Sequence, residues 1–433
     1  MNIRKLTNFD YLLFLAVVSL SFIGILFIYS SGVNSTGESV SKEFLKQILW
    51  TISGIIILFA VSLYDYRRLK DRTFLIYMIG ILLLLYTRIF GESRNNARSW
   101  IGIGSLGIQP SEFIKIIFIL FLAYYLDKSK NEDPLKRFIK TIIILIVPVL
   151  LILSQPDLGT ASVYIPIFLI MCFIAGIPMR FIMYVFSTGA LTIVFTLMPL
   201  WESVILKKPY IMTAILKSPQ IAIVVFFLLS ICTVVAMIGT VFLRNRYYYW
   251  TTYCFSIITI SFAGSILGVR ALKEYQMMRL IIFLDPEVDP LKHGWNIIQS
   301  ITAIGAGGLT GRGFLKGTQS HYRYLPEQST DFIFSILSEE WGFAGGALVF
   351  ALYGIIFLRL IFSVKRCEDF FGKLVISGIL GMFFFHFMIN AGMVMGIMPI
   401  TGIPLLFLSY GGSSLWTAMI AVGFVTGINL RQI

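Results

Sequence analysis

The residues of this chain best suited to chemistry lie in a short acidic stretch, FLDPEVDPLKHG, residues 283 to 294. It sets Asp285, Glu287 and Asp289 close together, both aspartates directly before a proline. Proline fixes its own φ and restricts the residue before it, so each Asp-Pro step aims a carboxylate in a reproducible, extended direction. A carboxylate held this way can take a proton from a hydroxyl, and partial burial would raise its pKa above the usual value of about 4 and improve it as a base. The same pattern also suits aspartates that merely cap turns, and spacing alone does not choose between Asp285 and Asp289.

Four further stretches hold the remaining polar candidates. ARSWIGIGSLGIQPSEFIKI (97–116) carries Arg98, Trp100, Glu112 and Lys115. Glu112 and Lys115 are three apart and share a helix face, which suits an intrahelical pair neutralised at a bilayer edge as well as the wall of a groove. Trp100 fits an ordinary interfacial anchor equally well. Asp157 in SQPDLGTA is expected to N-cap the next helix. AIGAGGLTGRG (303–313) lacks the GxxxxGK[ST] pattern of a nucleotide loop; its glycines are expected to let the backbone approach a substrate, with Arg312 beside them. In LPEQSTDFIF, Thr330 and Asp331 are expected to start a helix, while Glu327 is open between turn and site. His293, His321 and His386 do not have metal-ligand spacing.

The elements that must position these residues are membrane spans. Of the 433 residues 57% are hydrophobic and only 13% charged, against about 25% charged in soluble domains. Twelve apolar runs approach the roughly 20 residues that cross a bilayer: near 9–30, 46–64, 73–88, 112–127, 139–154, 159–176, 180–200, 220–243, 249–269, 330–361, 371–395 and 403–429. More than half of the 35 Lys and Arg fall in the loops of one side, so that side is expected to be cytoplasmic, with both termini, and the long 270–329 loop to face outside. The polar stretches at 97–116, 154–161, 270–330 and 399–414 then open on the outer face. The net charge of +13 is read as topological bias plus attraction to membrane lipids, with no nucleic acid partner. Four scattered cysteines offer neither a disulfide framework nor a CxxC pair. The first apolar run is long enough to remain as a span, and no cleavable leader is expected.

Read in order, RSWI with QPSEFIKI, QPDLGTA, DPEVDP with IIQSITAIGAGGLTGRGF, LPEQSTDFIFSILSEEWG and FLSYGGSS resemble the SEDS family (shape, elongation, division and sporulation) over nearly the whole chain. GTQS (317–320) and PITGIPL are more similar to its elongation branch than to its division branch. The resemblance implies a helical bundle of ten spans in one membrane domain, with a large outer loop and polymerisation of lipid II outside the bacterial cytoplasmic membrane. Residues of about 207–269 read as an added span pair, giving about twelve transmembrane helices in an all-α polytopic fold. Lys292, His293, Trp295 and Leu406 also depart from the family pattern.

The same resemblance singles out Asp289 as the essential aspartate. A hydroxyl of an acceptor sugar displaces a lipid pyrophosphate, a leaving group that needs no acid, so one base suffices where hydrolytic glycosidases pair two carboxylates. Arg98, Trp100, Glu112, Lys115, Gln299, Arg312 and Glu327 are expected to bind substrate. No resident metal is expected, though Mg or Mn could enter with the pyrophosphate. The implied partner is a class B penicillin-binding protein, a transpeptidase. A flippase of lipid-linked precursors is the competing class, but the polar stretches gather on one face and show no inverted repeat; a wall-enzyme scaffold leaves the acidic loop without a purpose.

Overall fold

A computed structural model describes residues 9–94, 97–102, 107–206, 213, 215–216, 218–271, 274–291 and 294–431. The lysine and histidine at 292 and 293, and most of 207–217, lie outside the described residues. The chain forms two compact units, residues 1–177 with 296–433, and residues 178–295.

The first unit contains α1 (Tyr11–Ser31), α2 (Glu43–Leu63), α3 (Thr73–Phe90), a small hairpin of β1 (Glu92–Arg94) and β2 (Ala97–Trp100), then α4 (Pro110–Lys128), α5 (Pro134–Ser154) and α6 (Leu158–Ile174). The second holds α7 (Met179–Trp201), α8 (Pro219–Leu243), α9 (Arg246–Ala271) and α10 (Glu274–Ile282). The first resumes along α11 (Trp295–Gly307), then α12 (Thr318–His321), α13 (Ile333–Arg366), α14 (Phe370–Val394) and α15 (Gly412–Asn429). A helix therefore lies within or across each of the twelve apolar runs. Among the described residues nine of these helices are long and apolar enough to cross a membrane. The other three, α4, α6 and α15, are shorter or carry polar side chains, and they lie largely within protein. A helix enclosed by other helices can hold polar groups that lipid would not tolerate.

Packing in the first unit relies on small residues. Gly423 and Gly427 form a GxxxG face on α15, where added Cβ atoms would lie 2.8 Å from the Leu58 oxygen and 3.0 Å from the Ser62 oxygen of α2. Close backbone approach gives the dispersion contact that drives helix association where lipid removes the hydrophobic incentive. In the second unit hydroxyls serve the same end. Thr233 meets Thr259 at 2.9 Å and Thr240 meets Thr252 at 3.0 Å between α8 and α9. Ser261 donates to the Thr188 carbonyl of α7 at 3.0 Å. The opposite face of α8 is open apolar surface, with Phe227, Leu228, Ile231 and Val235 each more than half exposed.

One expectation changes. The last apolar run does not begin its helix at 403: residues 403–411 are irregular, and α15 starts at Gly412. Leu405, Leu406, Phe407 and Leu408 of this coil are almost wholly buried. Its backbone finds partners in Asn390 Nδ2, which reaches the Ile403 oxygen at 2.8 Å, Gln47 Nε2 on the Ser409 oxygen and Ser409 Oγ on the Leu405 nitrogen. Irregular backbone survives at such depth only when protein satisfies its polar groups. The 270–329 loop carries helices α10, α11 and the short α12 amid turns and irregular backbone. Ile297, Ser300, Ala303 and Gly307 form the buried face of α11.

Candidate functional site

Helix α4 starts with Gln109 as its N-cap and Pro110 in its first turn, where a missing N–H costs nothing. That start fixes Glu112 and Lys115 one turn apart. Lys115 Nζ donates to Glu112 Oε1 at 2.9 Å and Oε2 at 2.8 Å, and it lies 3.1 Å from His386 Nε2 on α14. Lys115 is 1% exposed and Glu112 4%. His386 Nδ1 lies 3.0 Å from the Pro404 carbonyl oxygen. The pair foreseen on one helix face is therefore formed. The histidine that completes it had no signal beyond being an ionisable residue inside an apolar run, which is itself a functional pointer.

Several separate motifs converge on this end of the first unit. Asp157 is the N-cap of α6, accepting from the Thr160 nitrogen at 3.0 Å and Thr160 Oγ1 at 2.8 Å. Its second oxygen also accepts from Gln109 Nε2 at 2.9 Å, and the Gln109 nitrogen donates to Ser413 Oγ at 3.0 Å. QPSE, QPDLGT and YGGSS are thus tied by three side chains. Ser329 Oγ donates to Glu43 Oε2 at 2.8 Å, and the Tyr410 nitrogen to the Ser329 oxygen at 2.8 Å. Asn390 Nδ2 spans the Asp331 and Ile403 oxygens at 2.9 and 2.8 Å.

Two glycines of the glycine-rich segment make close approaches to protein backbone. A Cβ on Gly307 would overlap the Ser338 oxygen, and one on Gly311 would overlap the Glu340 oxygen. These glycines let 305–313 lie against the backbone of α13 where Gly342, at φ +63°, breaks its helical geometry; their close approach is to protein. Two carboxylates that the sequence reading passed over, Glu339 and Glu340, organise the region from within α13, both fully buried. Glu339 Oε1 accepts from the Thr318 and Gln319 nitrogens at 2.6 and 2.9 Å, and Oε2 from the Ser320 nitrogen at 3.3 Å. Glu340 accepts from Ser30 Oγ and from the Leu315 nitrogen, the latter at 3.1 Å. Adjacent glutamates inside FIFSILSEEWG were the available signal.

Arg312 lies on the exposed side of this segment, its guanidinium donating to Thr318 Oγ1 at 2.7 Å. Glu327 is exposed at φ +51° and accepts from Thr330 Oγ1 at 3.2 Å. Thr330 therefore bonds back to a turn rather than capping a helix. Helix α13 begins three residues later with Phe332 as its N-cap, whose side chain has no acceptor for the first N–H groups of the helix; the Glu327 oxygen accepts from the Asp331 and Phe332 nitrogens before it. Arg98 is exposed and Trp100 half-buried on β2, and Gln299 is half-buried on α11.

In the second unit the acidic stretch forms a compact turn. Pro286–Val288 make one 3-10 turn, and Asp285 caps it by accepting from the Glu287 nitrogen at 3.0 Å. Asp289 ends the turn at φ −141°, half-exposed, and its carbonyl accepts from the Gly294 nitrogen at 2.9 Å. Asp285 is thus the turn-capping member, while Asp289 closes the turn through its backbone. A Cβ on Gly294 would overlap the Pro286 oxygen, so this closure requires glycine there. Among the described residues no three His, Cys, Asp or Glu gather as a metal cage.

Apolar helices joined at one end by buried polar ties define an all-α polytopic membrane protein. A family model described as "Cell cycle protein", covering FtsW, RodA and SpoVE, matches residues 10–220 and 205–432. The chain belongs to this family. It is 59% identical to the peptidoglycan glycosyltransferase RodA of Treponema pallidum over 433 residues, with each chain covered in full. It is 33% identical to the stage V sporulation protein E of Bacillus subtilis, with 98% of both covered. A chain solved in a study of structural coordination of polymerization and crosslinking by a peptidoglycan synthase complex matches with TM-score 0.65 at 25% identity, covering 98% of this chain and 99% of that one. The rod shape determining protein RodA of Thermus thermophilus shares the fold, with TM-score 0.60 at 21% identity over 98% of this chain and 97% of that one.

Proposed function

We infer that this protein is a peptidoglycan glycosyltransferase that polymerises lipid II into glycan strands for cell elongation. The observation that carries the reading is full-length identity of 59% to a relative named for that activity. The acceptor hydroxyl attacks the anomeric carbon of the growing chain, the bond to undecaprenyl pyrophosphate breaks, and the configuration inverts. Asp289 takes the hydroxyl proton. Its half-exposed position at the end of a turn closed by Gly294 supports that role, because a base must be reachable as well as held.

Arg98 and Arg312 supply exposed cations for the pyrophosphate, and Trp100, Gln299 and Glu327 contact sugar or lipid. Glu112 and Lys115 hold a positioned charge pair at the start of α4. Lys115 meets pyrophosphate by exchanging one of the partners it now has. Mg or Mn enters on the pyrophosphate. The protein lies in the bacterial cytoplasmic membrane with both termini inside and the 270–329 segment outside. Its partner is a class B penicillin-binding protein, which crosslinks the strands; the synthase complex containing a relative supports this pairing.

Incubating the purified protein with labelled lipid II, with and without that partner, tests the reading. Glycan ladders are expected. Their absence under both conditions, with intact lipid II recovered, would overturn it.

A further inference from the structure

We infer that His386 is a positioning residue that aims the Lys115 ammonium, an assignment that rests on the glycosyltransferase reading and on Lys115 handling the pyrophosphate. An ammonium has three N–H bonds and no lone pair. Lys115 Nζ lies 2.9 and 2.8 Å from Glu112 Oε1 and Oε2 and 3.1 Å from His386 Nε2, and towards each of these atoms it can only donate. Nε2 must therefore present its lone pair. The other ring nitrogen, Nδ1, lies 3.0 Å from the Pro404 carbonyl oxygen, which can only accept. The imidazole is accordingly neutral, with its hydrogen on Nδ1, donating to Pro404 and accepting from Lys115.

Glu112 alone cannot place this charge relative to the rest of the site. It sits on the same helix as Lys115, so their pair moves as one body with α4. His386 comes from α14, and Pro404 from the buried coil that precedes α15. The ring links three segments in series, from the coil through α14 to α4. With Lys115, Glu112 and His386 at 1%, 4% and 1% exposure, no water competes for these directions, and an unfilled acceptor would leave the ammonium free to turn about the carboxylate.

Two substitutions separate positioning from simple support. His386→Gln keeps one donor and one acceptor; His386→Leu keeps bulk and removes both. KM and kcat for lipid II are measured on folded, monodisperse protein, together with melting temperature. His386→Leu should raise KM about tenfold or more, the effect of losing one hydrogen bond to a charged group, while His386→Gln stays close to the wild type. A folded His386→Leu protein with unchanged KM, or a Gln variant that falls as far as Leu, overturns the inference. If His386→Leu does not fold, His386→Asn replaces it: its shorter amide cannot reach both Pro404 and Lys115, and an unchanged KM there is equally fatal. Nitrogen-15 NMR of histidine-labelled protein provides a readout without turnover. The resonances lost in His386→Gln should be those of a neutral ring protonated at Nδ1, and an imidazolium or the opposite tautomer overturns the assignment. The expected tautomer in a wild-type protein that makes no glycan would instead count against the glycosyltransferase reading.

Discussion

Gly311 and Gly342 meet backbone to backbone: both have positive φ, +81° and +63°, and a Cβ on Gly342 would overlap the Gly311 nitrogen. This contact seats the segment after α11 on the kink of α13, beside Glu339 and Glu340. It brings the arginine at 312 and the turn at 318–321 into their places.

Gly311→Ala is therefore expected to destabilise the protein by about 1–3 kcal/mol, from left-handed strain and overpacking against the Glu340 carbonyl. Gly305 lies six residues earlier in the same run, on α11, with open space where a Cβ would go. Gly305→Ala should be neutral or stabilise by up to about 1 kcal/mol. Melting curves in detergent for the two variants check the contrast; equal losses would contradict this packing.

Asp289→Asn is expected to insert and fold normally, since the change is nearly isosteric, yet to lose polymerisation by about 10²-fold or more, the usual worth of a positioned base. Asp285→Asn retains an oxygen for the Glu287 nitrogen and should retain most activity. Ladder assays on both variants decide between the two aspartates. A silent Asp289→Asn would remove it from the mechanism.

Removing one member of the Glu112 and Lys115 pair strands the other. Lys115→Met should destabilise the protein by about 3–5 kcal/mol, the typical result of leaving a buried charge uncompensated. Adding Glu112→Gln should restore stability without restoring turnover, because the charge that handles pyrophosphate stays absent. Recovery of activity in the double variant, measured with labelled lipid II, would reduce the pair to a structural tie.

Membrane orientation can be read with single cysteines. Asn245, in the exposed junction between α8 and α9, is expected to face the cytoplasm, and Leu291, 82% exposed beside the acidic turn, to face outside. An impermeant maleimide applied to intact cells should label a cysteine at 291 and reach one at 245 only after permeabilisation. The reverse pattern would invert the proposed topology.

The sequence by itself determined the membrane class, because apolar runs near bilayer length can satisfy their backbone only as helices. It also located the Glu112 and Lys115 pair and the Asp157 cap, since both arise within a single helical turn. Tertiary structure decided what depends on distant segments. His386 is 271 positions from Lys115, and no periodicity within α14 could disclose that its ring faces that ammonium. The coil at 403–411 reads as the start of a span because its side chains are apolar, yet it stays irregular because Asn390, Gln47 and Ser409 satisfy its backbone from within the protein. The glycines of 303–313 could be seen to permit a close approach, but only the fold shows that the approaching surface is the backbone of α13 at Ser338 and Glu340. Short-range geometry follows from local bonding rules, whereas the choice of a buried polar partner is made by how the helices pack.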